Sequence, residues 1–178
     1  RLADALDFKV MSLYNHVANK DDLLAAMVDE IAARVPQPSA GDAPMLALRT
    51  FAVNTRAQFS LHRWAPGPWS STMPGRGRAD HMETVLRLLA DSDLPPDTAH
   101  HGFHAIMSHV VGYSLHAEAL GLQDVDLDTL AGEFLETVSA ERHGHVITHV
   151  HQHLSGDTGE SFELVLDFIL DGLRRIAH

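Results

Sequence analysis

The sequence predicts an all-α protein, and three observations support that prediction. Apolar residues recur at spacings of three and four positions through most of the 178 residues, which is typical of helices with one buried face. Alternation of apolar and polar residues, which would indicate strands, does not extend over a useful length. Segments rich in proline and glycine separate the helical ones, as expected for a helical bundle.

The N-terminal run, residues 2–31 (LADALDFKVMSLYNHVANKDDLLAAMVDEI), predicts the second half of a helix-turn-helix followed by a connecting helix. Leu2 and Leu6 share the apolar face of a short supporting helix. Asp7 stands where a tight turn is needed, since Asp tolerates left-handed backbone. The next helix covers residues 10–17 and turns its apolar face inward.

Asn19 is predicted to end that short helix, and the connecting helix follows. Asp21 and Asp22 lie in its first turn, where negative charge suits the helix dipole. Its apolar residues at helical spacing are Leu23, Leu24, Met27, Val28 and Ile31. On periodicity alone, three amphipathic helices of an ordinary bundle are an alternative interpretation.

Residues 36–44 (PQPSAGDAP) predict a linker, the clearest domain boundary in the chain. A helix is predicted over residues 45–62. Residues 63–78 contain three prolines and three glycines, so they predict a loop with one helical turn. Helical spacing resumes over residues 79–92.

The C-terminal half is predicted to hold a long helix, a short helix, a histidine-rich stretch and a last helix. Pro95 and Pro96 start the long helix, because proline suits a first turn. The segments run from 95 to about 120, from Asp126 or Asp128 to about 138, from 144 to about 154, and from 161 to 176, with a turn or loop over residues 155–160.

The composition excludes several classes of protein. The chain has no cysteine, so it has neither a disulfide framework nor a cysteine-ligated zinc site. No apolar run approaches the ~20 residues of a membrane span, and a cytoplasmic location is expected. The formal net charge is −11, but the acidic surplus lies downstream of the N-terminal run. That distribution fits a small DNA-binding head on an acidic body.

The string LYNHVANKDDLL, residues 13–24, closely resembles the end of the recognition helix in the tetracycline-repressor (TetR) family of transcriptional regulators. Weaker features in the family's order extend the resemblance over nearly the whole chain. These are an Arg-x-x-Phe before the broken Trp/Pro/Gly segment, the Val-Val-Gly-Tyr of residues 110–113, and residues 162–173 (FELVLDFILDGL). The chain opens without Met and already inside the supporting helix, so we expect a longer natural protein.

The resemblance implies a truncated helix-turn-helix DNA-binding domain with its connecting helix over residues 1–35, and a helical ligand-binding and dimerisation domain over residues 45–178. In the family, residues matching Ser12, Tyr14, His16 and Lys20 contact DNA, and hydroxyl and ammonium groups suit phosphate oxygens. Val10, Met11 and Asn15 would face base edges, where an Asn amide pairs with adenine. Lys9 completes the expected DNA-binding set. Val10 and Asn15 depart from the family's usual residues, so the operator sequence does not carry over.

The second domain is expected to bind a small apolar or amphipathic molecule that releases the protein from a palindromic operator. Candidate cavity residues are apolar, with a few polar groups among them. They are Phe51, Thr55, Phe59, Trp64, Trp69, Met73, Met82, Phe103, His104 and Met107. The alternative for each is that it simply fills the core. Trp64 and Trp69, beside proline and glycine, are the strongest candidates.

The resemblance also implies a homodimer joined by the helices near residues 98–120 and 160–177. The last helix supports this expectation, because apolar residues nearly encircle its axis and would need a partner surface.

Fourteen histidines raise two further hypotheses. His145, His149 and His153 fall at four-residue intervals, and His100, His101 and His104 form a second group. A metal-responsive sensor on the same scaffold is one alternative, although zinc usually needs three or four ligands. A histidine-dependent enzyme is less favoured, because no catalytic motif accompanies these residues. No cofactor and no catalysis are expected.

Overall fold

The computed structural model describes residues 17–119, 126–155 and 158–177, and in these ranges the chain forms eight helices and no strand. The all-α prediction is confirmed. The helices are α1 (Lys20–Ala33), α2 (Pro44–Leu61), α3 (Pro66–Ser71), α4 (Arg76–Ala90), α5 (Pro96–Ala119), α6 (Leu127–Glu136), α7 (Ala140–Ser155) and α8 (Thr158–Ala177).

The start of α1 agrees with the sequence prediction, because Asp21 and Asp22 lie in its first turn. Asn19 is the N-cap of α1, and its side-chain oxygen accepts a hydrogen bond from the Asp22 backbone N–H at 2.9 Å. Residues 1–16 lie outside the described residues, so the prediction that Asn19 ends the preceding helix stays a prediction. An Asn at this position satisfies an N–H that has no partner within the helix, and Asp21 and Asp22 favour the same helix end electrostatically.

The main core lies between α2, α4, α5 and α8, with α1 packed across α4 and α3. Phe51 and Phe59 of α2, Leu89 of α4, Ile106 of α5 and Phe162 of α8 are all almost fully buried. Each such side chain contributes about 1.5–3 kcal/mol through burial, so these contacts fix the relative positions of the helices.

Helix α8 is apolar on two sides but buried on only one. Its buried side holds Phe162, Leu166, Leu170 and Leu173, which face α5 and α2. Its open side holds Leu164, Val165, Phe168 and Ile176, with Phe168 62% exposed. The intramolecular core therefore accounts for half of the apolar pattern in this helix.

Helices α6 and α7 pack mainly against each other. No residue of α7 is buried, and the helix bends at His143, whose φ and ψ are −128° and 26°. Leu130 and Phe134 of α6 are both 46% exposed. None of the described helices is both long and apolar enough to cross a membrane.

Candidate functional site

A cavity of about 570 Å³ lies between α3, the loop that follows it, α4 and α5. This volume lies within the range of small-molecule binding sites, roughly 300–1,000 Å³. The wall is mostly apolar, with serine, arginine and histidine side chains at a few points. It consists of Trp69, Ser70, Pro74, Arg78, Met82, Phe103, His104, Met107, Ser108, Val111, Gly112 and Leu115.

The structure divides the ten predicted cavity residues into three groups. Five line the cavity together: Trp69, Met82, Phe103, His104 and Met107. Phe51, Thr55 and Phe59 are buried in the main core behind it. Trp64 and Met73 are exposed and lie outside the cavity wall, at 37% and 85% exposure. Of the two loop-borne tryptophans, only Trp69 contributes to the wall.

Seven wall residues were missed by the sequence analysis. Four of them are on α5, where residues 104, 107, 108, 111, 112 and 115 form one continuous helical face. Extending the predicted face by helical periodicity would have identified Ser108, Val111, Gly112 and Leu115. Arg78 is different, because no periodic pattern places a charged residue in an interior.

Arg78 is the central polar group of the site and is only 2% exposed. Its Nε donates to Asp29 Oδ1 on α1 at 2.5 Å. Nη1 donates to the backbone oxygens of Trp69 and Thr72 at 3.1 and 3.0 Å and to Thr72 Oγ1 at 3.0 Å, and Nη2 donates to the Met73 oxygen at 2.5 Å. One guanidinium thus fixes the end of α3 and joins it to α1, and its buried charge is both paired and hydrogen-bonded.

Two glycines let α1 approach the start of α4 closely enough for this pair to form. A Cβ on Gly75 would lie 1.9 Å from Asp29 Oδ2, and a Cβ on Gly77 would lie 2.0 Å from the Asp29 backbone oxygen. Any larger residue at position 77 would push against backbone, which cannot move aside as a side chain can. The carboxylate of Asp29 also sits at the N-terminal end of α4, where negative charge is favoured.

His81 lies one helical turn beyond Arg78, behind the cavity wall. Its ring packs against Phe51 and Trp69, with centroid distances of 4.6 and 5.1 Å. Its Nε2 is 2.9 Å from Thr55 Oγ1. Burial lowers the pKa of His81 from 6.5 to about 4, so the ring is neutral at physiological pH.

The other histidine clusters are at the surface. The His100 ring lies near those of His101 and His104, and the His149 and His153 rings are 4.6 Å apart between centroids. Within the described ranges, no three or more histidine, aspartate or glutamate side chains are placed to hold a metal ion together. The structure therefore gives no support to the metal-sensor alternative.

The expected DNA-contacting residues from Lys9 to His16 lie outside the described residues. Lys20 is described, and it is exposed as the first residue of α1. Its position next to the N-terminal segment leaves it available to a phosphate.

The comparison with known families matches this architecture. Residues 36–176 match the family model for the tetracyclin repressor-like C-terminal domain. Helices α2 to α7 and all but the last residue of α8 lie in the matched region, and the chain belongs to the TetR family of transcriptional regulators.

Individual relatives agree with this assignment. The HTH-type transcriptional repressor DrrR1 of Streptomyces coeruleorubidus is 30% identical over 187 residues, covering 97% of this chain and 68% of DrrR1. Apo ActR from Streptomyces coelicolor superposes with a TM-score of 0.81 at 26% identity, covering 99% of this chain and 86% of ActR. ActR in complex with actinorhodin gives a TM-score of 0.80 at 27% identity, with 99% and 86% of the two chains covered.

Proposed function

We propose that this TetR-family repressor binds an aromatic or amphipathic small molecule in the cavity beside Arg78, and that this binding lowers its affinity for operator DNA. The observation that carries the proposal is the double role of Arg78. It belongs to the cavity wall and it binds Asp29 on α1. Helix α1 directly follows the N-terminal segment that resembles a recognition helix. We assign residues 1–35, which include α1, to the DNA-binding domain with its connecting helix, and residues 45–178 to the effector domain.

The cavity wall indicates the chemical class of the effector. Trp69, Phe103, Met82 and Met107 present flat or adaptable apolar surfaces, which suit an aromatic ring system. His104, Ser70 and Ser108 add hydrogen-bonding groups. A polar aromatic effector fits this wall better than an ionised aliphatic one. The relative ActR, which was solved with actinorhodin and with (S)-DNPA, supports this class for the present chain.

The route from cavity to DNA follows from the Arg78 contacts. An effector that displaces the loop after α3 acts on the Thr72 and Met73 carbonyl groups that Arg78 holds. Because the same guanidinium binds Asp29, a shift of the loop is passed to α1. Occupancy and DNA binding are then coupled through one element with two arrangements, as allosteric control requires.

On the DNA side, we assign phosphate contacts to Ser12, Tyr14, His16 and Lys20. Base contacts are assigned to Val10, Met11 and Asn15, with Lys9 beside them. The resemblance of residues 13–24 to a recognition-helix exit supports these assignments.

We further propose a homodimer formed by the open face of α8, with α5 beside it. The exposed residues Leu164, Val165, Phe168 and Ile176 lie on one side of α8 and make an apolar stripe of the kind that obligate dimers bury. Dimerisation pairs two DNA-binding heads, which matches a palindromic operator.

A DNA-release titration tests the proposal. The natural protein is bound to a fluorescent duplex from its own upstream region, and anisotropy is followed while actinorhodin or a panel of hydroxylated aromatic compounds is added. The proposal predicts salt-sensitive binding and release by at least one of these compounds, while a Met107→Trp variant with a filled cavity responds to none. Salt-insensitive binding, or equal release of wild type and M107W, would contradict it.

A further inference from the structure

Next to the cavity lies a buried histidine, His81, which is not part of the cavity wall. His81 is on α4 between Arg78 and Met82, both of which line the cavity. The indole of Trp69 lines the cavity and also packs edge-on against the His81 ring, with an interplanar angle of 82°. Trp69 therefore separates the cavity from His81.

The hydrogen bonds around His81 fix which ring nitrogen carries the proton. The Thr55 hydroxyl donates its only proton to the Phe51 backbone oxygen at 2.8 Å. The contact of 2.9 Å between Thr55 Oγ1 and His81 Nε2 must then use the proton on Nε2. In the neutral ring, Nδ1 is left as a lone-pair acceptor.

That acceptor is buried without a protein partner. His81 is 2% exposed, and none of the described residues places a donor within hydrogen-bonding distance of Nδ1. Buried polar atoms of proteins are satisfied in the great majority of cases, so an exception beside a cavity calls for a partner that the described residues do not supply. The neutral state of the ring at physiological pH keeps Nδ1 available as an acceptor.

We propose that His81 Nδ1 accepts a hydrogen bond from a hydroxyl group of the effector, in a polar subsite that opens when the Trp69 indole turns aside. The backbone of Trp69 stays in place because Arg78 holds its carbonyl oxygen. The indole is in edge contact with Phe59 and His81 and is only partly buried. A side-chain rotation is therefore sufficient, and α3 need not move.

This inference rests on the proposed effector cavity and adds a requirement for a donor on the ligand. A phenol or alcohol meets that requirement, whereas the matching methyl ether does not. A site that hydrogen-bonds a hydroxyl discriminates against the analogue that lacks it, because the buried acceptor is then left unpaired.

Calorimetric titrations with 2-naphthol and 2-methoxynaphthalene test the subsite. Wild type is expected to bind 2-naphthol about fivefold more tightly, the value of one neutral hydrogen bond. In His81→Phe, which keeps a flat ring but has no acceptor, the two probes are expected to bind within about twofold of each other. A second variant, His81→Gln, keeps an acceptor and provides the comparison if H81F does not fold.

Nitrogen NMR on wild type gives an independent readout of the same atom. The Nδ1 resonance is expected at the position of a free lone pair without probe, and it should move upfield with 2-naphthol but not with its ether. A bonded Nδ1 in the probe-free protein would overturn the inference, as would equal affinities of wild type for both probes. Either result leaves the effector cavity itself in place. Failure of both probes to bind overturns the subsite, and unchanged DNA affinity across the wider panel would overturn the proposed function.

Discussion

The Arg78 guanidinium of α4 and the Asp29 carboxylate of α1 form an ion pair with 2.5 Å between Nε and Oδ1, and the two side chains are 2% and 15% exposed. This pair joins the wall of the cavity to the helix that follows the DNA-binding segment. Arg78 also holds the carbonyl groups at the end of α3. The pair is therefore a structural tie, and under the proposed function it also links effector binding to DNA binding.

Loss of Arg78 should destabilise the protein strongly. Replacing it by Leu leaves the Asp29 carboxylate and three carbonyl groups without their donor, and breaking a buried pair costs about 3–5 kcal/mol. We expect Arg78→Leu to lower the free energy of unfolding in urea by about 3 kcal/mol.

Arg87→Leu is the matched control on the same helix. Arg87 pairs with Asp91 at 3.4 Å, but both side chains are 53% exposed. Such surface pairs contribute about 0–1 kcal/mol, so R87L should unfold nearly as wild type does. Equal effects of R78L and R87L would show that the Arg78 network does not stabilise the fold. Protein concentration is kept constant, because the proposed dimerisation would contribute to apparent stability.

Two glycine-to-alanine substitutions should change the stability of the fold in opposite directions. Alanine at Gly77 would place its Cβ 2.0 Å from the Asp29 backbone oxygen, so α1 must move away. Overpacking of this kind costs about 1–3 kcal/mol. Alanine at Gly112, in the middle of α5, meets nothing within 4 Å and should stabilise the helix by about 0.5–1 kcal/mol. Thermal unfolding of G77A and G112A measures the two changes in stability. Stabilisation by G77A would contradict the close approach of α1 to the start of α4.

Acid should weaken the fold through His81. Burial lowers the pKa of His81 to about 4 in the folded protein, whereas the ordinary value of 6.5 applies to the unfolded chain. Between pH 4 and 6.5 the unfolded chain therefore binds a proton that the folded protein does not. The contribution of the neutral ring to stability is complete above pH 6.5 and is lost as the pH falls toward 4, by about 3 kcal/mol in all.

The difference in unfolding free energy between wild type and H81F isolates this contribution from the other titrating groups. It should decrease steadily from pH 7 to pH 4.5 as wild type loses stability. A difference that does not change with pH would mean that His81 is not buried in its neutral form.

Phe168→Glu should separate the proposed dimer. Phe168 is 62% exposed on the open face of α8, and a charge there cannot be buried against a second copy without a partner. Sedimentation of F168E is expected to show monomer. Leu61→Glu, at a residue 73% exposed near the end of α2, is expected to remain dimeric. A dimeric F168E would place the interface elsewhere.

The sequence predicted those parts of the fold that are determined by local signals. Helical periodicity and prolines located α2, α4, α5, α6 and α8, because these signals are local, whereas α3 was predicted only as one helical turn in a loop and α7 only as a histidine-rich stretch. The sequence did not identify Asn19 as the cap of α1, because an Asn is acceptable at either end of a helix and the hydrogen bond to Asp22 is seen only in the structure.

The candidate site was only partly predictable, because some of its residues are held by contacts with residues distant in sequence. Aromatic and methionine residues on α4 and α5 were found by their type and spacing. Arg78 was not, because its burial depends on Asp29, 49 residues earlier, and on carbonyl groups exposed by the end of α3. Gly75 and Gly77 were its only local signal, and in sequence they indicate a loop as readily as a close helix contact.

The Asp29→Ala variant tests whether effector binding in the cavity and DNA binding are coupled through the Arg78–Asp29 pair. The affinity of the natural protein for its upstream DNA is measured with and without a compound that releases wild type, for wild type and D29A. Coupling of 1–3 kcal/mol predicts that the compound weakens wild-type DNA binding by about 5- to 150-fold. In D29A the compound should still bind the cavity, but adding it should change the affinity for DNA by less than about twofold. The same loss of DNA affinity in folded D29A as in wild type would contradict the claim.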